Sequence, residues 1–148
     1  MAAIANSHVL EHAHYGEVGP AGSPQQGNVG NTLSEWNRVL KPRGILMVSV
    51  PDLMTMSDLF ANARLGPADK FHLMRMMFGG QTTEKDSHLV GFDENILADF
   101  LASGGFCRIR RVAGFNGFKG VDWEDTSEMI WHAAKISINV IAEKCFDV

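Results

Sequence analysis

Glu35-Trp36-Asn37-Arg38-Val39-Leu40-Lys41-Pro42-Arg43-Gly44-Ile45-Leu46-Met47-Val48-Ser49-Val50-Pro51-Asp52 contains a helix end, a turn and a strand in succession. Ile45 to Val50 is a nearly continuous apolar run of strand length, the pattern of a strand covered on both faces in a parallel sheet. Pro51-Asp52 ends it. Ahead of the strand, Lys41-Pro42-Arg43-Gly44 stops the helix, because proline has no amide proton and disfavours the helical region for its predecessor. A non-glycine residue resists positive φ, so the turn is expected near type I, with Gly44 rather than Arg43 in the left-handed position.

Working upstream, Thr32-Leu33-Ser34-Glu35 has capping-box spacing, and Leu33, Trp36, Val39 and Leu40 share a helical face. A short amphipathic helix is expected to begin there. Residues 16 to 31 are rich in Gly, Pro, Ser, Gln and Asn and cannot bury enough surface to order themselves, which predicts a flexible insertion. Residues 2 to 5 read as the end of a short buried strand. It runs into Asn6-Ser7-His8-Val9-Leu10-Glu11-His12, where Asn6 or Ser7 is placed to cap a helical turn.

Downstream, residues 53 to 78 are helix-rich, with Leu53, Met56, Leu59 and Phe60, then Phe71, Met74 and Phe78, at helical spacing. The methionines from Met54 to Met77 read as core packing or as an adaptable ligand wall. Gly79-Gly80-Gln81 breaks the helix, and a polar loop from Gln81 to Gly91 carries Asp86 and His88. Asp93 caps a helix whose Ile96, Leu97, Phe100 and Leu101 form a stripe ending at Gly104-Gly105. Phe106 to Val112 reads as a strand, and residues 113 to 135 as a mixed loop containing Trp123, Asp125, Thr126, Ser127, Trp131 and His132. Residues 136 to 143 alternate as a final strand, half buried at most. The succession of strands and helices implies an α/β sandwich in one domain.

With 148 residues, 45% apolar and 20% charged, the chain has a globular balance sufficient for one core. A net charge of -4 supplies no basic footprint for nucleic acid or an anionic membrane. No apolar run approaches the ~20 residues of a membrane span, and the N-terminus lacks a signal-peptide pattern, so a cytoplasmic chain is expected. Cys107 and Cys145 are too few and too far apart in sequence for a disulfide framework or a thiolate metal site. Both are expected to be packed thiols in a reducing compartment.

The segment from Glu35 to Asp52 resembles the helix, turn and fifth strand of class I S-adenosylmethionine-dependent methyltransferases, in which the helix ends Arg-x-Leu-Lys-Pro-Gly-Gly. Asn6 to His12 is similar to the segment after that family's fourth strand. His88-Leu89-Val90-Gly91-Phe92-Asp93-Glu94 resembles members with a His-x-x-Gly-Phe element before the penultimate helix, and residues 136 to 143 resemble the antiparallel last strand. The resemblance implies a partial Rossmann-like sheet with flanking helices and strands equivalent to 4-5-7-6 of the family order 3-2-1-4-5-7-6. It implies an enzyme that uses S-adenosylmethionine as methyl donor. Asn6, Ser7 and His8 would face the donor's methionine end, since ligands of open parallel sheets bind beyond the C-terminal strand ends. His88, flanked by Asp86, would orient or deprotonate the methyl acceptor, with Trp123 and Trp131 on the same side.

The family's Gly-x-Gly-x-Gly loop and the acidic residue ending its second strand have no counterpart in these 148 residues. The chain alone is therefore expected to bind the donor weakly or not at all and to be inactive. The strand equivalent to the fourth would present an open edge, suited to self-association or to a partner chain bearing the missing half.

Two other readings compete. His8-x-x-Glu11-His12 matches the H-x-x-E-H pattern of inverted zinc peptidases, with Glu84 or Glu94 as a third ligand. The nearby Gly/Pro-rich segment leaves little room for the long helix that pattern requires, so no metal ligands are assigned. The other is a non-catalytic module that pairs with a methyltransferase.

Overall fold

The structure is a computed structural model and describes residues 1–14, 28–115 and 127–145. Trp123, Asp125, Thr126 and most of the expected insertion lie outside the described residues. Strand β1 (Ala3–Ser7) leads into a 3-10 turn (Leu10–His12). Helix α1 (Val29–Val39), strand β2 (Ile45–Pro51) and helices α2 (Leu53–Ala61), α3 (Pro67–Phe78) and α4 (Glu94–Ser103) follow. Then come β3 (Phe106–Val112), a small hairpin of β4 (Ile130–Trp131) and β5 (Ala134–Lys135), and β6 (Ser137–Lys144).

The apolar run that decides the fold is β2, an interior strand. It pairs in parallel with β1, placing Ala5 beside Met47, and antiparallel with β6, placing Val48 beside Val140. The four-stranded sheet has the order β1-β2-β6-β3, with β6 antiparallel to both of its neighbours. Burial of Leu46, Val48 and Val50 on β2, Ile138, Val140 and Ala142 on β6, and Leu33, Leu97 and Leu101 on the covering helices makes one continuous core. A smaller cluster of Met56, Leu73 and Ile136 lies beyond the C-terminal end of β2, against Trp131 of the hairpin.

Several local expectations are corrected. The turn after α1 puts positive φ on Arg43 (φ 60°) and not on Gly44, and the Gly44 amide donates to the Lys41 carbonyl at 2.8 Å. Positive φ at the third turn position with proline at the second is the type II pattern. Gly44 is needed for space instead, because a Cβ there would sit 2.8 Å from the Lys41 carbonyl oxygen and 2.9 Å from Leu40 Cδ2. Helix α1 starts at Val29, earlier than Thr32, because the Asn28 side chain accepts from the Asn31 amide at 2.7 Å. Glu35 turns to Arg38 rather than back to a cap. Asn6 and Ser7 belong to β1, and the 3-10 turn after it has no side-chain cap.

The cysteines, expected as separate packed thiols, are paired: Cys107 and Cys145 form a disulfide with Cα atoms 5.4 Å apart. They are distant in sequence, but β3 and β6 are neighbours and the Cys145 amide donates to the Gly105 carbonyl.

The closing strand is more buried than its alternation suggests. Ser137, Ile138, Asn139, Val140 and Ala142 are all buried, because β6 lies between β2 and β3 and both of its faces are covered. The polar members are tolerated through hydrogen bonds. Ser49 Oγ donates to Asn139 Oδ1 at 2.7 Å, and Asn139 Nδ2 donates to the carbonyls of Ala113 at 3.1 Å and Ser127 at 2.6 Å. Asn139→Ala strips these groups of a buried partner and is expected to cost about 2 kcal/mol. The check is the urea midpoint at unchanged m-value; a loss under ~0.5 kcal/mol would show that the network contributes nothing.

Candidate functional site

Strands β1 and β2 are parallel and end side by side, and the site is built on their C-terminal ends. After Ser7 the chain turns sharply: His8 has φ 53°, in the left-handed region, and its amide donates to the Ser49 carbonyl at 2.8 Å. Non-glycine residues enter that region uncommonly, with His among those enriched there. The 3-10 turn that follows presents Glu11 and His12.

The loop after α3 completes the site. Gly79 has φ 87°, and a Cβ there would run into the Asp86 carbonyl oxygen, so the chain reverses at this point only with glycine. The His88 amide donates to the Phe78 carbonyl at 3.0 Å, and the amides of Leu89 and Val90 donate to the Glu11 carbonyl at 2.6 and 3.2 Å. These bonds dock residues 86–90 on the 3-10 turn. They bring the His88 ring edge-to-face with His12, centroids 4.8 Å apart.

Polar groups in this pocket are poorly satisfied. Glu11 is only 1% exposed, and neither carboxylate oxygen has a hydrogen-bond partner among the described residues. Burial pushes its carboxyl up to about 7. His8 Nδ1 lies 3.6 Å from Glu11 Oε1, beyond hydrogen-bonding range, while His8 Nε2 meets Ser137 Oγ at 3.0 Å. Burial, reinforced by the neighbouring His88 and His12, pushes His8 down to about 4. Burial thus works against the charged form of both groups. His88 is also held below the usual histidine range, first by burial and then by His12. Its Nδ1 is buried without a hydrogen-bond partner among the described residues. His12 differs: its Nδ1 lies 3.0 Å from the Ser87 carbonyl oxygen, an acceptor only, so Nδ1 carries the proton and Nε2 the lone pair.

Beside these residues is a cavity of about 120 Å³, walled by Met56, Met76, Met129 and Ile136, with His8 and His88 as its polar members. Pockets for drug-sized ligands run ~300–1,000 Å³, so this one suits a small group or one end of a larger molecule.

Of the residues singled out in the sequence, His8 and His88 share this cavity. Asn6 and Ser7 end β1 beside it; the Asn6 Oδ1 atom is buried without a partner. Asp86 points into its own loop, where its Oδ2 accepts from the Thr82 hydroxyl at 2.8 Å and the Thr82 amide at 3.2 Å. Those bonds hold its carboxyl below the usual range. Trp131 packs with the Met56, Leu73 and Ile136 cluster. The H-x-x-E-H expectation is altered in two ways. The segment is one 3-10 turn and no long helix, and the third group beside Glu11 and His12 is His88, whereas Glu94 pairs with Arg111 at 2.8 Å. Each of these residues stands out by type in the chain, but their meeting depends on the loop docking.

No family model matches the chain, and no curated protein matches it. Among solved structures, the carbon methyltransferase CurJ aligns over 98% of this chain at 15% identity with a TM-score of 0.50. A possible exported protein from Bordetella parapertussis aligns over 98% at 16% identity with a TM-score of 0.52. The likeness is one of fold. This chain spans 30% of the first structure's length and 39% of the second's. It is a mixed α/β chain with a methyltransferase-like fold neighbour. None of its helices is long and apolar enough to cross a membrane, among the described residues.

Proposed function

We propose that the chain forms the acceptor side and one wall of the donor site of an S-adenosylmethionine-dependent methyltransferase domain. The observation that carries this reading is the sheet order β1-β2-β6-β3 with an antiparallel last strand, the arrangement the family's strands 4-5-7-6 would give. The fold likeness to a carbon methyltransferase supports it.

The residues present fit one end of the donor. Asn6 Oδ1, buried near the C-terminal end of β1 without a partner among the described residues, suits a cationic or N–H donor such as an amino-acid ammonium group. Ser7 and His8 flank it. When bound, S-adenosylmethionine supplies a methyl group on a positively charged sulfur. His8 and His88, kept neutral by burial, place uncharged imidazoles at the polar end of an otherwise apolar cavity, where they can hydrogen-bond and orient an acceptor group. The methionine and isoleucine walls would exclude water from a small acceptor group. No glycine loop for the donor's backbone contacts and no carboxylate for its ribose are found in these residues, so binding by the chain alone is expected to be weak. β1 has one strand neighbour among the described residues, and its other edge is where a complementary segment would pair.

The test is a backbone-amide NMR titration with S-adenosylmethionine. Shifts confined to residues 6–8 and 49–52, saturating only at millimolar donor, are expected. Micromolar binding would contradict the missing-anchor argument, and shifts confined to other parts of the fold would overturn the site.

A further inference from the structure

We infer that Glu11, His12 and His88 form a binding site for a first-row divalent cation of the zinc class, independently of the methyl-transfer reading. One ligand atom from each of the three lies within 4.8 Å of those of the other two. Two imidazoles and one carboxylate are a donor set that suits zinc, and supplying three protein ligands leaves a coordination position open.

The second line of argument is the state of these side chains. A carboxylate that is 1% exposed with both oxygens unpartnered is a costly arrangement, and such groups call for a missing counter-charge. Among the described residues no arginine or lysine pairs with Glu11, and the basic groups about it are His8, His12 and His88. His8 is already engaged with Ser137 and is not among the ligating atoms. The His88 Nδ1 is likewise buried without a hydrogen-bond partner among the described residues. His12 is set as a ligand usually is: its Nδ1–H donates to a backbone carbonyl, which leaves Nε2 as the nitrogen free to ligate. Zinc bonds of ~2.0–2.2 Å put tetrahedral ligand atoms roughly 3.3 Å apart, so binding draws the widest pair inward by side-chain rotation. The ion would tie the 3-10 turn to the loop of residues 86–90, which meet now through the Glu11 carbonyl. Because His88 also lines the cavity, the open coordination position falls close to it.

The experiment is a zinc titration of the full chain, freed of metal by chelation, followed by calorimetry and by elemental analysis after desalting. One zinc per chain is expected, with a raised melting temperature. Glu11→Gln and His88→Ala are each expected to weaken binding about 100-fold or more, beyond the ~10–100-fold cost of losing an outer partner. His72→Ala, at a histidine outside the cluster, is expected to leave it unchanged. Cobalt provides a readout on the native chain alone: visible ligand-field bands typical of low coordination number, displaced by zinc. Absence of zinc binding at ~100 μM, or zinc and cobalt binding that survives in folded Glu11→Gln and His88→Ala, would overturn the site.

Discussion

Phe92→Ala is expected to destabilise the chain by about 3–5 kcal/mol, among the largest effects of any single truncation. Phe92 is 1% exposed and meets Phe100 edge-to-face at 6.0 Å. Its carbonyl also accepts from the Leu53 amide at 3.0 Å, and it bridges to Asp52. Removing the ring empties a cavity between α4 and the sheet that the surrounding elements cannot close. The effect should reach the site, since residues 86–92 run from the docked loop into this anchor. Hydrogen exchange at Leu89 and Val90, whose amides donate to the Glu11 carbonyl, is expected to accelerate more than exchange in β3. Equilibrium denaturation reads the first effect, and a loss below ~1 kcal/mol would mean that Phe92 is not a core residue.

Glu11→Met should act in the opposite direction and stabilise the metal-free chain by about 3 kcal/mol at pH 8. At that pH the carboxyl, which burial pushes up to about 7, is ionised with neither oxygen paired. Methionine fills nearly the same volume without carrying a charge into the interior. Thermal and urea unfolding of the two chains in chelator measure the difference. With zinc in excess the order should reverse, because only the wild type gains binding energy. A destabilised variant in chelator would show that Glu11 has a stabilising partner.

How much of this was legible beforehand depends on whether the cause is local. β2 could be read because a strand covered on both faces must be apolar throughout, and Ile45 to Val50 is nearly so. The α4 cap could be read because Asp93 bonds the amide of Ile96, three residues on, at 2.7 Å. The burial of β6 is not legible locally, because Ser137 and Asn139 look like an outer face; it depends on β2 and β3, which are distant in sequence. The Arg43 turn is not legible locally, because the constraint at Gly44 is contact with Leu40 and Lys41, invisible to a propensity argument. At the site, His8, Glu11, His12 and His88 stood out as residue types, yet nothing local pairs His88 with Glu11. Their meeting requires the Gly79 reversal and two amide bonds to one carbonyl.

The link between Cys107 and Cys145 clasps β3 to β6 at one end of the sheet, while Val112 faces Asn139 at the other. Any parting of these strands must proceed like a zipper with one end sewn shut, starting at the Val112 end, the end nearest Ser137, His8 and the cavity. Separation of the two strands is thereby confined to the margin that the Asn139 amide ties to the Ala113 carbonyl, and the opposite margin stays fast.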